Sequence, residues 1–268
     1  MRNSEFTIKK NQRITAGMYE MILQVPETPE DEEMLRNIRP GQFINIRIEG
    51  LYLRRPISIC DWDAGAGTIT IVYKTVGRGT EAMGLMKTGE TLDILWPLGN
   101  GYALPQAGQE AERRTRRPLL IGGGAGVPPM VSLCRRMIEA GLQPAVILGF
   151  RSEEDAYYQD RFEAMGARTL ITAEDGSIGQ QGFVTDAMRT LIDSDGACAY
   201  DSVYACGPEP MLRAICETAP ETIPGWFSFE ERMGCGFGAC MGCSCETKYG
   251  SKRICKDGPV LERSEIIW

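Results

Sequence analysis

The sequence predicts an antiparallel β-barrel followed by a doubly wound parallel α/β sheet, with a small cysteine-rich segment at the C-terminus. Three observations predict it. Short β-rich runs broken by glycine and proline turns fill the first 97 residues, strand-like and helix-like runs alternate from residue 119, and cysteine and glycine dominate from Trp226 onward. Many short strands favour closure into a barrel, whereas strands alternating with helices favour a parallel sheet. At 268 residues the chain exceeds the usual size of one domain, so several cores are expected.

In the barrel region the expected strands cover residues 6–14, 18–25, 42–48, 56–60, 68–76 and 91–96, with turns at Pro40-Gly41, Gly65 to Gly67 and Gly89. The acidic stretch 27–33 reads as a solvated loop with a helical turn, and a helix is expected at Glu81. Residues 106–117 are polar and charged, the composition of a surface connection. Beyond it, buried strands are expected at 119–121, 145–149, 169–172 and 202–206, and helices at 128–140, 185–192 and 209–217. No internal repeat occurs.

A composition of 43% hydrophobic and 24% charged residues is that of an ordinary globular chain and excludes extensive disorder. The formal charge of -7 repels phosphate backbones, and the basic run Arg113, Arg114, Arg116, Arg117 is short, so nucleic acid is not an expected partner. No run of 18 apolar residues occurs and residues 1–5 are largely polar, so a cytoplasmic protein without membrane association is expected. Histidine is absent, which excludes Cys/His zinc fingers, Rieske-type clusters and every histidine-based catalytic apparatus.

Among the ten cysteines, Cys235, Cys240, Cys243 and Cys255 have the spacing C-x4-C-x2-C-x11-C. Its first intervals match the plant-type pattern for a [2Fe-2S] cluster, in which four thiolates anchor two irons. Glycines 234, 236, 238 and 242 let the backbone bend closely around such a group. A structural zinc site is the alternative, although it usually shows two C-x2-C knuckles and only one is present. Cys245 offers another register for Cys243. Cysteines 60, 134, 198, 206 and 216 are scattered and read as small buried hydrophobes.

Nucleotide chemistry is suggested by Gly122-Gly123-Gly124-Ala125-Gly126-Val127-Pro128-Pro129, which leaves the expected strand 119–121 and opens a helix. Glycines admit a pyrophosphate close to the backbone, a helix N-terminus favours its charge, and proline suits a first helical turn. The run is not the G-x-G-x-x-G fingerprint, and a purely structural turn is the alternative. In the barrel, Arg54-Arg55-Pro56-Ile57-Ser58 joins a cation to a hydroxyl, and Lys74-Thr75-Val76-Gly77-Arg78-Gly79-Thr80 places a glycine turn before a helix. Either can cradle phosphate.

Together with Cys206-Gly207-Pro208-Glu209-Pro210-Met211, these motifs and their order resemble the ferredoxin-NADP reductase superfamily over nearly the whole chain. The cluster cysteines after Glu230-Glu231-Arg232-Met233, and Cys255-Lys256-Asp257-Gly258-Pro259-Val260, look more specifically like the electron-transfer subunits of form B, NAD-dependent dihydroorotate dehydrogenases. The last cysteine spacing and Met241-Gly242 depart slightly from that family's pattern.

The resemblance implies an FAD-binding barrel over 1–105, an NAD-binding α/β domain over 117–223 and a [2Fe-2S] domain over 224–268. It implies that Arg55, Pro56, Ile57, Ser58, Val72, Tyr73, Lys74, Gly79 and Thr80 bind FAD. Gly122, Gly123, Gly124, Gly126, Pro128, Cys206, Gly207, Pro208 and Met211 would bind NAD, and Cys235, Cys240, Cys243 and Cys255 the cluster. The implied function is to pass electrons from an FMN-binding catalytic subunit, in a heterotetramer with two of each chain, to NAD+ in pyrimidine biosynthesis. The alternative is the small subunit of a sulfide dehydrogenase or of an NADH-dependent ferredoxin:NADP oxidoreductase, whose members typically carry aspartate where Cys235 stands. Glu153, Glu154 and Asp155 favour NAD over NADP by repelling a 2′-phosphate, whereas Arg151 would attract one. No residue is expected to act as acid or base on dihydroorotate.

Overall fold

The computed structural model describes residues 1–104, 117–195 and 200–268. The connection expected at 106–117 lies outside the described residues except for Arg117, as does Cys198. The chain forms two compact units, Met1–Gly101 with Glu230–Val260, and Tyr102–Phe229 with Leu261–Trp268. Among the described residues no helix is long and apolar enough to cross a membrane.

In the first unit, β1 (Arg2–Arg13), β2 (Met18–Gln24), β3 (Phe43–Ile46), β4 (Arg55–Asp63), β5 (Thr68–Lys74) and β6 (Thr91–Leu98) close in the order β1-β2-β5-β4-β3-β6. Every neighbouring pair is antiparallel. Closure follows from the period-two pattern of these strands: Leu92, Ile94 and Trp96 of β6 face inward with Met21, Leu23, Ile59, Ile69 and Ile71. Phe6 meets Trp96 edge to face, with ring centroids 5.1 Å apart. All four residues of β3 are buried, so both of its faces are covered.

The helical turn expected in the acidic stretch is a full helix, and one of its acids is buried. It forms α1 (Pro29–Arg36), because Thr28 caps the Asp31 N-H at 3.2 Å, proline opens the first turn, and three acids sit at the positive end of the helix. Asp31 is buried, accepting hydrogen bonds from Ser4 Oγ and Thr28 Oγ1, both at 2.7 Å, while Leu35 enters the barrel core. The helix expected at Glu81 is α2 (Arg78–Leu85) and starts three residues earlier.

Arg54 straps three strands together. It pairs with Asp93 Oδ1 at 2.8 Å and donates to the carbonyls of Asp93 and Asn45 and to Asn3 Oδ1 at 3.0–3.2 Å. Burial works to raise the Asp93 carboxyl, but the hydrogen bonds and charge of Arg54, aided by Asn3 and Arg47, outweigh it and hold the group below its ordinary value. Arg54→Ala should therefore lower the unfolding free energy by about 1–3 kcal/mol near neutral pH. A depressed carboxyl stabilises fully above its unfolded value, roughly 3.9, and the stabilisation is lost as pH falls through the folded value. Chemical unfolding at pH 7 and at pH 3 checks this, since the gap between wild type and variant should narrow at the lower pH.

The second unit holds β7 (Pro118–Gly123), β8 (Ala145–Phe150), β9 (Arg168–Ala173), β10 (Gln180–Gln181), β11 (Ser202–Cys206) and β12 (Gly225–Ser228), with α3 (Val127–Glu139), α4 (Gln159–Ala164), α5 (Val184–Asp195) and α6 (Glu209–Thr218) between strands. After β13 (Ser244–Thr247) and β14 (Gly250–Arg253), which form a separate hairpin, β15 (Val260–Glu262) completes the sheet order β10-β9-β8-β7-β11-β12-β15. The chain winds outward from β7 to β10, then returns to place β11 on the other side of β7. That reversal is a topological switch point at the carboxyl ends of β7 and β11, the place where open parallel sheets bind ligands.

Candidate cofactor sites

In the barrel, the two phosphate-type motifs read from the sequence come together. An added Cβ at Gly79 would run into the Arg55 guanidinium, so only glycine lets Arg55 lie against this turn. Arg55 itself donates to the carbonyls of Leu53 and Arg54. Thr80 Oγ1 donates to the Gly77 carbonyl at 3.1 Å and accepts from the Val76 N-H at 2.9 Å, so its hydroxyl closes the turn. What the segment offers an anion is thus the Arg55 charge and the free N-H groups of the first turn of α2. Pro56, Ile57 and Ser58 follow on β4, half-buried and paired with β3. Val72 is buried and Lys74 exposed on β5; the Tyr73 ring lies in the barrel core, stacked on Tyr19 and hydrogen-bonded to Asn11.

The glycine run of the second unit sits at the switch point. Gly122 pairs with Cys206 across β7 and β11, and the turns that follow these strands pack on each other. A Cβ on Gly126 would strike the Cys206 carbonyl, and one on Gly123 would strike the Met211 sulfur. Glycine is therefore required by backbone proximity at Gly126, whereas Gly124 adopts φ +51° in open space. Pro128 and Pro129 stand in the first turn of α3 and have no N-H, so the glycine turn supplies more donors to an anion than the helix end does. Tyr157 donates its hydroxyl to the Gly124 carbonyl at 2.7 Å, a brace that no sequence pattern indicates. Gly207, Pro208 and Met211 lead from β11 into α6, with Pro208 exposed.

The cysteine loop lies in the same compact unit as the barrel. The N-H groups of Phe237, Ala239 and Cys240 converge on Cys235 Sγ at 3.2–3.5 Å, and those of Cys235 and Gly242 reach Cys240 Sγ at 3.4 and 3.5 Å. The Cys255 N-H donates to Cys243 Sγ at 3.4 Å, which brings the distant fourth cysteine beside the third. Burial opposes ionisation of Cys235, but the backbone N-H groups outweigh it and lower the thiol to about 6. Burial and the neighbouring Cys243 push Cys255 up to about 12. Cys245 instead enters β13 opposite Lys252. Among the described residues no three His, Cys, Asp or Glu side chains close on a single point as a mononuclear metal site would require.

Two features of this loop were not legible as motifs. A Cβ at Gly236 (φ +79°) would strike Asn45 Nδ2, and that amide lies 3.5 Å from the Cys235 carbonyl, so the outer face of β3 is covered by the loop itself. Asn45 Oδ1 is buried without a hydrogen-bond partner among the described residues. The donor set fits an iron-sulfur group: four thiols, three of them in the glycine-rich stretch 234–243, with backbone N-H groups aimed at sulfur and able to offset its negative charge. Of the remaining cysteines, Cys60 and Cys134 are fully buried, in keeping with their reading as small hydrophobes, whereas Cys206 and Cys216 are partly exposed.

Comparison with known proteins follows the same division. Residues 230–267 match the model of the iron-sulfur cluster binding domain of dihydroorotate dehydrogenase B, and residues 120–217 that of the oxidoreductase NAD-binding domain. The dihydroorotate dehydrogenase B (NAD(+)) electron transfer subunit of Fusobacterium nucleatum is 38% identical over 271 residues, covering 99% of each chain. Its counterpart in Geobacillus kaustophilus is 40% identical over 237 residues, 85% of this chain and 87% of that one. Among solved structures, a chain of an NADH-dependent reduced ferredoxin-NADP oxidoreductase superposes with a TM-score of 0.85 at 28% identity, covering 98% of this chain and 90% of that chain. A flavohemoglobin from Malassezia yamatoensis, with bound FAD and heme, shares the fold at a TM-score of 0.62 and 18% identity over 85% of this chain and 60% of its own.

Proposed function

The chain belongs to the family of dihydroorotate dehydrogenase B (NAD+) electron-transfer subunits, and from that premise we propose how its residues serve that activity. It passes electrons from an FMN-containing dihydroorotate dehydrogenase catalytic subunit, through a [2Fe-2S] cluster and FAD, to NAD+ in pyrimidine biosynthesis. Bound flavin supplies the conversion between single electrons and the hydride that nicotinamide requires. The ferredoxin-NADP oxidoreductase reading has less support, with 28% identity against 38% and more for relatives of the dihydroorotate family.

Cys235, Cys240, Cys243 and Cys255 hold the cluster, their charge offset by the N-H groups of Phe237, Ala239 and Gly242. Arg55, Pro56, Ile57 and Ser58 on β4, with Val72 and Lys74 on β5, line the flavin strand pair, whereas the Tyr73 ring lies in the barrel core. Arg55 with Gly79 and Thr80 receives the flavin's phosphates. Gly122, Gly123, Gly124, Gly126 and Pro128, with Cys206, Gly207, Pro208 and Met211, hold the nicotinamide nucleotide at the switch point, and the acids 153–155 favour NAD over NADP. By function the chain divides into an FAD domain at 1–105, an NAD domain at 117–223 and a cluster domain at 224–268. The working complex is a heterotetramer with two of each chain, in the cytoplasm.

The observation that carries this reading is the convergence of backbone N-H groups on Cys235 and Cys240 in the same compact unit as the Arg55–Gly79 contact. The test mixes the purified chain with dihydroorotate and NAD+. NADH oxidation with an artificial acceptor should proceed alone, because hydride exchange needs only flavin and nucleotide. Dihydroorotate turnover should require the FMN subunit, since without histidine no motif here offers a base for its proton. Turnover of dihydroorotate by the isolated chain would overturn the assignment, as would zinc in place of two irons and two sulfides.

A further inference from the structure

The guanidinium of Arg253, at the end of β14, reaches both halves of the cysteine loop. Its Nη1 donates to the Gly238 carbonyl at 2.9 Å, between Cys235 and Cys240. Its Nε and its backbone N-H donate to Asp257 Oδ2 at 3.0 and 2.9 Å, and Asp257 stands two residues beyond Cys255. The stem of Lys256 packs over Gly238, its nearest carbon 2.7 Å from where a Cβ would lie. Arg253 and Asp257 are both half-buried, with side chains 27% and 32% exposed, so their geometry is fixed more firmly than that of a surface pair.

A cluster on four thiolates becomes more negative when reduced, and nearby charge is one of the levers on its potential. A cation held beside it stabilises the reduced form, and an acid bound to that cation takes part of the effect away. We propose that Arg253 is a positioning residue that ties the two ligand-bearing segments together and, by its fixed positive charge, raises the reduction potential of the cluster, with Asp257 limiting that rise. The proposal rests on the reading of Cys235, Cys240, Cys243 and Cys255 as the cluster's ligands.

Dye-mediated redox titration of the purified holoprotein, followed by the electron paramagnetic resonance of the reduced cluster, tests it. Arg253→Gln should disfavour one-electron reduction about tenfold, a downward shift of about 59 mV for a one-electron couple. Asp257→Asn keeps an acceptor for the Arg253 N-H while removing a negative charge, and should move the potential upward. Arg253→Lys keeps the charge without the fork and should lie nearer wild type than Arg253→Gln does. Opposite shifts are the decisive result, because simple loosening of the loop would move both variants the same way. Equal potentials, or shifts of one sign, would overturn the proposal. If Arg253→Gln fails to hold its cluster, the Asp257→Asn and Arg253→Lys potentials decide in its place. A wild-type protein lacking iron and sulfide would instead refute the ligand assignment, an outcome distinct from a loaded cluster with unchanged potential.

Discussion

Replacing Gly126 with alanine is expected to reduce NADH oxidation with an artificial acceptor at least about tenfold at low NADH, through a raised KM. The added methyl would collide with the Cys206 carbonyl oxygen, with its carbon, and with Gly207 N at 2.6 Å. Those atoms are backbone, so no side-chain rotation relieves the clash, and the turn after β7 must separate from the turn after β11. Overpacking of this kind typically costs about 1–3 kcal/mol, and a tenfold loss in kcat/KM corresponds to roughly 1.4 kcal/mol. Flavin and iron content should be unchanged, because Gly126 lies in the unit that holds neither of their proposed sites. Gly124→Ala is the control. Its Cβ meets nothing within 4 Å, leaving only the strain of φ +51°, about 1–2 kcal/mol. If the Gly126 and Gly124 variants lose the same small amount, the close contact of the two turns is not what shapes the nucleotide site.

Much of this arrangement is legible in the sequence because it is carried by local patterns. Short strand-like runs separated by glycine and proline turns are enough to assign the barrel, and the glycine run sits where strand gives way to helix. The contact between Arg55 and Gly79 is foreshadowed by two separate motifs that each favour phosphate. Where local composition misleads, a specific contact has overridden it. The run 27–33 is acidic enough to be read as solvated, yet Asp31 is buried because Ser4, 27 residues away, supplies a hydrogen bond. Tyr73 lies on the expected flavin strand, but its ring is drawn into the core by Tyr19 and Asn11. Asn45 and Arg253 belong to no motif. Asn45 meets a loop 190 residues further on, and Arg253 gains its meaning only when the chain brings Gly238 and Asp257 to its guanidinium. Spacing among cysteines suggests a ligand set, but not the residues that touch its segments.

Cys240→Ser should abolish the cluster while leaving the flavin in place. Cys240 Sγ accepts the N-H groups of Cys235 and Gly242, so its sulfur sits where the loop concentrates donors for a thiolate. A serine hydroxyl stays protonated near neutral pH and is a harder ligand, poorly matched to iron that favours sulfur. With partner subunit present, dihydroorotate-dependent NAD+ reduction should fall by at least about 100-fold, the upper end of what even a supporting residue costs a metal site. NADH oxidation with an artificial two-electron acceptor should persist, since it needs flavin and nucleotide alone. The two activities must therefore separate in this variant, and a parallel loss of both would mean that the loop is needed for the flavin site or for folding. Cys245→Ser supplies the contrast. Cys245 lies in β13 opposite Lys252 and takes no part in the Cys255 N-H to Cys243 Sγ hydrogen bond, so its variant should retain two irons per chain and full coupled activity. Loss of iron from Cys245→Ser, with Cys243→Ser retaining it, would transfer the third ligand from Cys243 to Cys245.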